Sequence, residues 1–173
     1  EKYEEGMEFL QKALEMSKVI LGETHIETGG CYANISNALF TQKKYEEALE
    51  YILKALDIYL ATYGEKHPFL NTIFQNTADI YVGLERYPEA ITFYRKCYQM
   101  LKDSNLSDAS AVGFLTCRFA KALELNGEKE EAIEKYKEVL EYAKEFGAAN
   151  SEFIKEIEQT VSDLEAKITK LSQ

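Results

Sequence analysis

Few residues in this chain are of the kinds that carry out chemistry, and their spacing argues against a catalytic centre. The two histidines, His25 and His67, stand in matching segments, Leu21-Gly22-Glu23-Thr24-His25 and Tyr63-Gly64-Glu65-Lys66-His67-Pro68. A metal or general-base site needs partners that converge within a few ångströms. Two histidines in equivalent loops of successive copies point instead to a structural role repeated with the chain. Cys31, Cys97 and Cys117 form no C-x-x-C pair, and their odd number argues against a closed disulfide framework and for a reducing compartment. Cys97 stands in register with Ala55, as a small hydrophobe in a core slot would. There is no Gly-rich phosphate loop, no G-x-S-x-G elbow and no H-E-x-x-H. The chain is therefore expected to have no catalytic residues, no cofactor and no metal site.

Side chains suited to recognition are more regularly placed. Asn34, Asn76 and Arg118 follow one another at the same spacing as the two histidines. An amide offers donors and acceptors to a peptide backbone, and a guanidinium can hold a carboxylate in a fork. With Asn37, Gln75 and Lys121 beside them, they form the candidate peptide-binding set. The alternative is that these amides bond nearby backbone and that Arg118 makes a surface ion pair.

So regular a spacing requires structural elements that recur at the same step. Tyr3-Glu4-Glu5-Gly6, Tyr45-Glu46-Glu47-Ala48, Tyr87-Pro88-Glu89-Ala90 and Lys129-Glu130-Glu131-Ala132 keep it through four copies. Ala13, Ala55, Cys97 and Val139 hold the same register, as do Leu10, Ile52, Tyr94 and Tyr136. Gly22 and Gly64 follow apolar-periodic runs, where a helix ends on a residue that tolerates positive φ. Pro68 and Pro88 sit where a first helical turn accepts a missing N–H. Helices are accordingly predicted at about 2–21, 27–42, 45–63, 68–84, 88–103, 108–126, 128–146 and 152–171. Ser36, Ala78, Ala120 and Ser162 recur in the first helix of each pair, where a small side chain allows a close crossing. Residues 28–42 carry no charge and 68–84 only Asp79, whereas 43–57 are charge-rich, as the outer face of a solenoid needs to be.

A small residue, then Tyr-x-x-Ala, then Ala or a small substitute seven residues later resembles the tetratricopeptide repeat. The 42-residue step and the Gly-Glu-x-His segments are similar to the long variant of kinesin light chains. The resemblance implies an all-α, right-handed superhelical solenoid of helix-turn-helix repeats whose first helices line a concave groove. It implies a protein–protein interaction scaffold that holds a peptide or helix of a partner in an adaptor or assembly role. The rival is a purely structural segment of a large cytoskeletal or motor-associated complex with no groove ligand. Tetratricopeptide domains that hold acidic chaperone tails use Asn, Asn and Arg on successive first helices, which Asn37, Asn76 and Arg118 resemble. Ala33 and Phe114 stand where that clamp has lysines, so generic peptide binding is the better expectation.

Composition sets the remaining bounds. With 20 Lys+Arg against 30 Asp+Glu the net charge is −10, which disfavours nucleic acid and anionic membranes and leaves proteins as partners. No apolar run approaches the roughly 18 residues of a membrane span, so no membrane insertion is expected. The localisation expected is cytoplasmic, with cytoskeletal association implied by the resemblance alone. Residues 1–150 are read as repeats that open on a second helix, and 151–173 as a capping helix with Ser151 at its N-terminus. A chain that starts on Glu1 in such a helix is expected to belong to a longer chain or complex.

Overall fold

The periodicity read above is realised as helix throughout a computed structural model, which describes residues 2–103, 109–145 and 152–171. Among the described residues eight helices run in order: α1 (Lys2–Leu21), α2 (Ile26–Thr41), α3 (Tyr45–Tyr63), α4 (Phe69–Gly83), α5 (Tyr87–Asp103), α6 (Ala109–Asn126), α7 (Lys129–Glu145) and α8 (Glu152–Leu171). No strand occurs among the described residues. The third inter-repeat segment, 104–108, and the expected cap at Ser151 lie outside them.

The turn inside each repeat has one geometry in three copies. Lys43 (φ 60°), Glu85 (φ 58°) and Gly127 (φ 87°) occupy the left-handed region at matching positions of successive repeats. In each copy the next amide reaches back to close the helix, Lys44 to Leu39, Arg86 to Tyr81 and Glu128 to Leu123. This returning bond satisfies a carbonyl that a helix C-terminus would otherwise leave unpaired. Between repeats, Gly22 and Gly64 also adopt positive φ. Shortly after each of them a histidine takes up its role. His25 Nδ1 accepts the Glu27 amide at 3.2 Å and His67 Nδ1 accepts the Phe69 amide at 3.3 Å. Both imidazoles thus bind amide donors at the start of a first helix, where no intrahelical acceptor exists.

The helices divide into two compact units, Glu1–Phe93 and Tyr94–Gln173. In the first, α2 packs on both α1 and α3, and α3 on α4. Ser36 and Ala48 make the α2–α3 crossing: both are fully buried, and the Ser36 hydroxyl donates to the Ala48 carbonyl at 2.7 Å. Ile35, Ile52, Ala55, Leu70 and Ala78 complete this core. In the second unit α6 packs on α7 and α7 on α8. Phe119, Ala120 and Leu123 are buried, as are Ala132, Tyr136 and Val139 of α7. Lys135 is only 9% exposed there. It donates to Tyr98 Oη at 3.2 Å and Glu138 Oε1 at 2.7 Å, while the Tyr98 hydroxyl donates to the other Glu138 oxygen.

Two register positions depart from expectation, and their surroundings give the cause. Ser162 is exposed, unlike Ser36, Ala78 and Ala120. In α2 the small residue faces the second helix of its own repeat, whereas among the described residues no helix covers that face of α8. α8 packs on α7 through Ile154, Ile157, Val161 and Leu164 instead. Ala13 is exposed where Ala55, Cys97 and Val139 are buried, because among the described residues no first helix of its own repeat covers α1.

Candidate peptide-binding site

The sequence-predicted recognition residues fall on first helices. Asn34 and Asn37 are exposed on α2, Gln75 and Asn76 half-buried on α4, and Arg118 and Lys121 exposed on α6. The first four belong to the first unit and the last two to the second. Not all of them aim the same way. Asn76 Nδ2 donates to Asn37 Oδ1 at 3.0 Å, so these amides tie α4 to α2. Gln75 turns along its own helix and donates to Asn71 Oδ1 at 2.5 Å. Lys121 likewise binds Glu124 Oε2 at 2.9 Å, an oxygen that also accepts the Tyr136 hydroxyl at 3.0 Å. Of the six, Asn34, Asn37 and Asn76 come together at one open depression of about 450 Å³.

This depression has a physical basis in α2. Gly29 and Gly30 remove two side chains from the start of the helix, and α3 approaches there. A Cβ on Gly29 would stand 3.1 Å from Ile58 Cγ2, so glycine permits the close contact. Gly30 faces the depression, and Ala33, Ile26 and Ile73 also line it. Its far wall is aromatic: Tyr59, Tyr63 and Phe69. The Tyr63 ring stacks on His67 at 4.2 Å and meets Phe69 edge-on at 5.7 Å. Phe69 remains 61% exposed. Burial, then Tyr63 and Glu27 nearby, push the Tyr59 phenol above its ordinary range, so it stays protonated and able to donate at neutral pH. Glu27 is the one charged side chain among the described residues lining the depression. The sequence reading did not include this wall; the available signal was the run Tyr63, His67 and Phe69 flanking Gly64.

Cys97 is fully buried, and burial raises the Cys117 thiol above its ordinary range against the opposing pull of Arg118 and Lys121, which lowers its thiolate fraction. Among the described residues no group of three His, Cys, Asp or Glu side chains is placed to hold a metal.

The sequence pattern described as Tetratricopeptide repeat matches residues 1–61 and, in an overlapping span, 30–103. The chain belongs to the tetratricopeptide repeat family. No curated protein matches it. Among solved structures it is similar to the tetratricopeptide-like repeats of a putative kinesin light chain from Podosopora anserina, at 18% identity and a TM-score of 0.75, covering 96% of this chain and 88% of that one. BtubC (BKLC) from P. vanneervenii matches with a TM-score of 0.77 and 14% identity over 87% of this chain, which spans only 60% of BtubC. The N-terminal domain of stress-induced protein-1 from C. elegans matches with a TM-score of 0.59 at 17% identity, covering 81% of this chain and 96% of that one. At these identities the likeness shows the fold, a tetratricopeptide solenoid. Such folds typically serve protein–protein interaction, and proteins built from them are generally non-catalytic scaffolds. No described helix is long and apolar enough to cross a membrane.

Proposed function

We propose that the first-helix face of this tetratricopeptide chain binds a peptide or helix of a partner protein, in an adaptor or assembly role. Asn34, Asn37, Gln75, Asn76, Arg118 and Lys121 are the residues assigned to it. The observation that carries the reading is the open depression on α2 and α4, which three amides line together with apolar and aromatic residues. Such a site combines apolar area with a few placed polar groups, the usual make-up of a recognition site. Cytoplasmic placement and cytoskeletal association rest on the resemblance to kinesin-light-chain-type proteins. We assign 1–150 to the repeats and 151–173 to a cap.

The test is capture of partners by the intact chain, repeated after Asn34→Ala, Asn76→Ala and Arg118→Ala. Each amide contact is worth about 0.5–1.5 kcal/mol and a hydrogen bond from the charged arginine, to a peptide carbonyl for instance, about 1.5–3 kcal/mol. The same partners should be lost while the thermal midpoint holds; undiminished recovery from all three variants refutes the groove. One observation favours the second reading, a structural segment without a groove ligand. Phe9, Met16, Val19 and Ile20 leave α1 with an exposed apolar face through which it could be built into a larger assembly.

A further inference from the structure

We infer that the α2–α4 depression selects an extended peptide segment with a bulky apolar side chain close to a lysine or arginine, and disfavours acidic segments. This inference rests on the groove reading and adds a ligand class to it.

Gly30 is the first ground. A glycine inside a helix costs stability because it loses more freedom than alanine on folding. At Gly29 the close approach of Ile58 explains that cost. At Gly30 an added Cβ would meet only Tyr59 Oη, at an ordinary 3.7 Å. No packing contact requires glycine there, yet its missing side chain keeps the floor of the depression open. Opposite stands the aromatic wall, in which Phe69 is exposed but held by an edge-on contact with Tyr63 and a tilted contact with His67. A preformed aromatic surface beside an open apolar floor accepts a large apolar side chain at little cost in ordering.

The charge pattern supplies the second ground. Glu27 gives the described lining a single negative charge, and the chain carries −10 overall. A cation on the ligand complements both, whereas a carboxylate meets repulsion from each. The amides are neutral and suit a peptide backbone. The bond from Asn76 to Asn37 uses one amide hydrogen and one oxygen lone pair, so the pair retains further donor and acceptor capacity.

The experiment is selection of a random linear peptide library on the whole 173-residue chain. Calorimetry then follows on an enriched synthetic peptide with the wild type and with Gly30→Leu, Phe69→Ala, Glu27→Gln and Asn76→Ala. Enrichment of an aromatic or large aliphatic residue near Lys or Arg is expected. Gly30→Leu should weaken that peptide by about tenfold or more while raising the thermal midpoint, since leucine is the better helix former. A merely structural glycine would not give that pairing of effects. Phe69→Ala should weaken binding similarly without filling the floor, and Glu27→Gln should weaken it in low salt more than in high. Enrichment of acidic peptides, or affinity unchanged in both Gly30→Leu and Phe69→Ala, overturns the inference; if Asn76→Ala still weakens binding, the groove reading survives that failure. A library that yields no binder, or binders indifferent to all four variants, overturns both.

Discussion

Replacing Ser36 with leucine puts the repeat register to a quantitative test, because the same substitution at Ser162 falls on a register-equivalent residue in the opposite environment. Ser36 is fully buried with its hydroxyl 2.7 Å from the Ala48 carbonyl oxygen, and Ala48 is fully buried as well. Leucine at 36 must place extra carbon atoms in that gap, which costs about 1–3 kcal/mol by overpacking. The lost hydroxyl bond adds about 0.5–1.5 kcal/mol. The total is about 2–4 kcal/mol, a large share of the roughly 5–15 kcal/mol that keeps a domain folded. With a urea slope of about 2 kcal/mol/M, the middle of the usual range for small proteins, the midpoint of the first unit should fall by about 1–2 M. Ser162 is exposed on α8, so Ser162→Leu should stay within about 0.5 kcal/mol of the parent. Urea unfolding of both variants, followed by far-UV circular dichroism, reads the difference. Equal midpoints in the two would show that the α2–α3 crossing is not where the register puts it.

Further tests follow from the turns, the buried lysine and the last helix. Lys43→Gly or Glu85→Gly should stabilise by about 0.5–1 kcal/mol, since relief of the left-handed backbone, worth about 1–2 kcal/mol, outweighs the added freedom of the unfolded chain. Gly127→Ala should cost about 1 kcal/mol by the same reasoning, and thermal melts that order the three otherwise contradict it. Glu138 resists protonation: burial raises its carboxyl, but the Lys135 and Tyr98 hydrogen bonds and the Lys102 charge outweigh that and hold it below the ordinary carboxylate range. A carboxyl lowered on folding stabilises above its unfolded value and loses that contribution as pH falls through the folded one. Glu138→Gln should therefore cost about 1–2 kcal/mol at neutral pH and flatten the loss of stability below about pH 4.5, seen in melts across an acid series. Val161→Asp would bury a lone charge against α7. Hydrogen exchange in α7 should then rise with the chain still monomeric, whereas loss of a dimer in sedimentation would favour a coiled-coil arm.

The helices were legible because each carries its own punctuation: Gly22 and Gly64 end two of them, and apolar period fills the rest. Register fixed which residues are small at the crossings, and it failed at Ser162 because register says nothing about whether a facing helix is present. The candidate site was legible in part. Asn34 and Asn76 could be assigned to one face by their matching places in successive repeats, but the partner that Asn76 finds, Asn37, lies one turn along α2. Such a diagonal contact depends on how α2 and α4 lie against each other, which spacing within one helix does not contain. The aromatic wall escaped for a related reason. Tyr59 and Tyr63 belong to α3, a second helix, and reach the depression where Gly29 lets α3 close on α2.

The first and last helices treat the same problem in opposite ways, and the difference bears on how each is used. In α2, α4 and α6 the positions 32, 74 and 116 hold Tyr, Phe and Thr, and 39, 81 and 123 hold Leu, Tyr and Leu; all six are buried. In step with them α8 has Glu158 and Glu165, with Ser162 between, and all three are exposed. The face with which a first helix meets its own second helix has thus become charged in α8, while Ile154, Ile157, Val161 and Leu164 keep the face turned to α7. We propose on this ground that α8 acts as a cap, covering the repeat before it with a polar surface. In α1 the corresponding change is absent. Leu10 and Ala13 keep the apolar character of Ile52 and Ala55, which are buried in α3 under α2. Phe9, Met16, Val19 and Ile20 remain apolar and exposed beside them. The sequence of α1 is that of an interior second helix, suited to being covered, and the sequence of α8 is that of a helix suited to water.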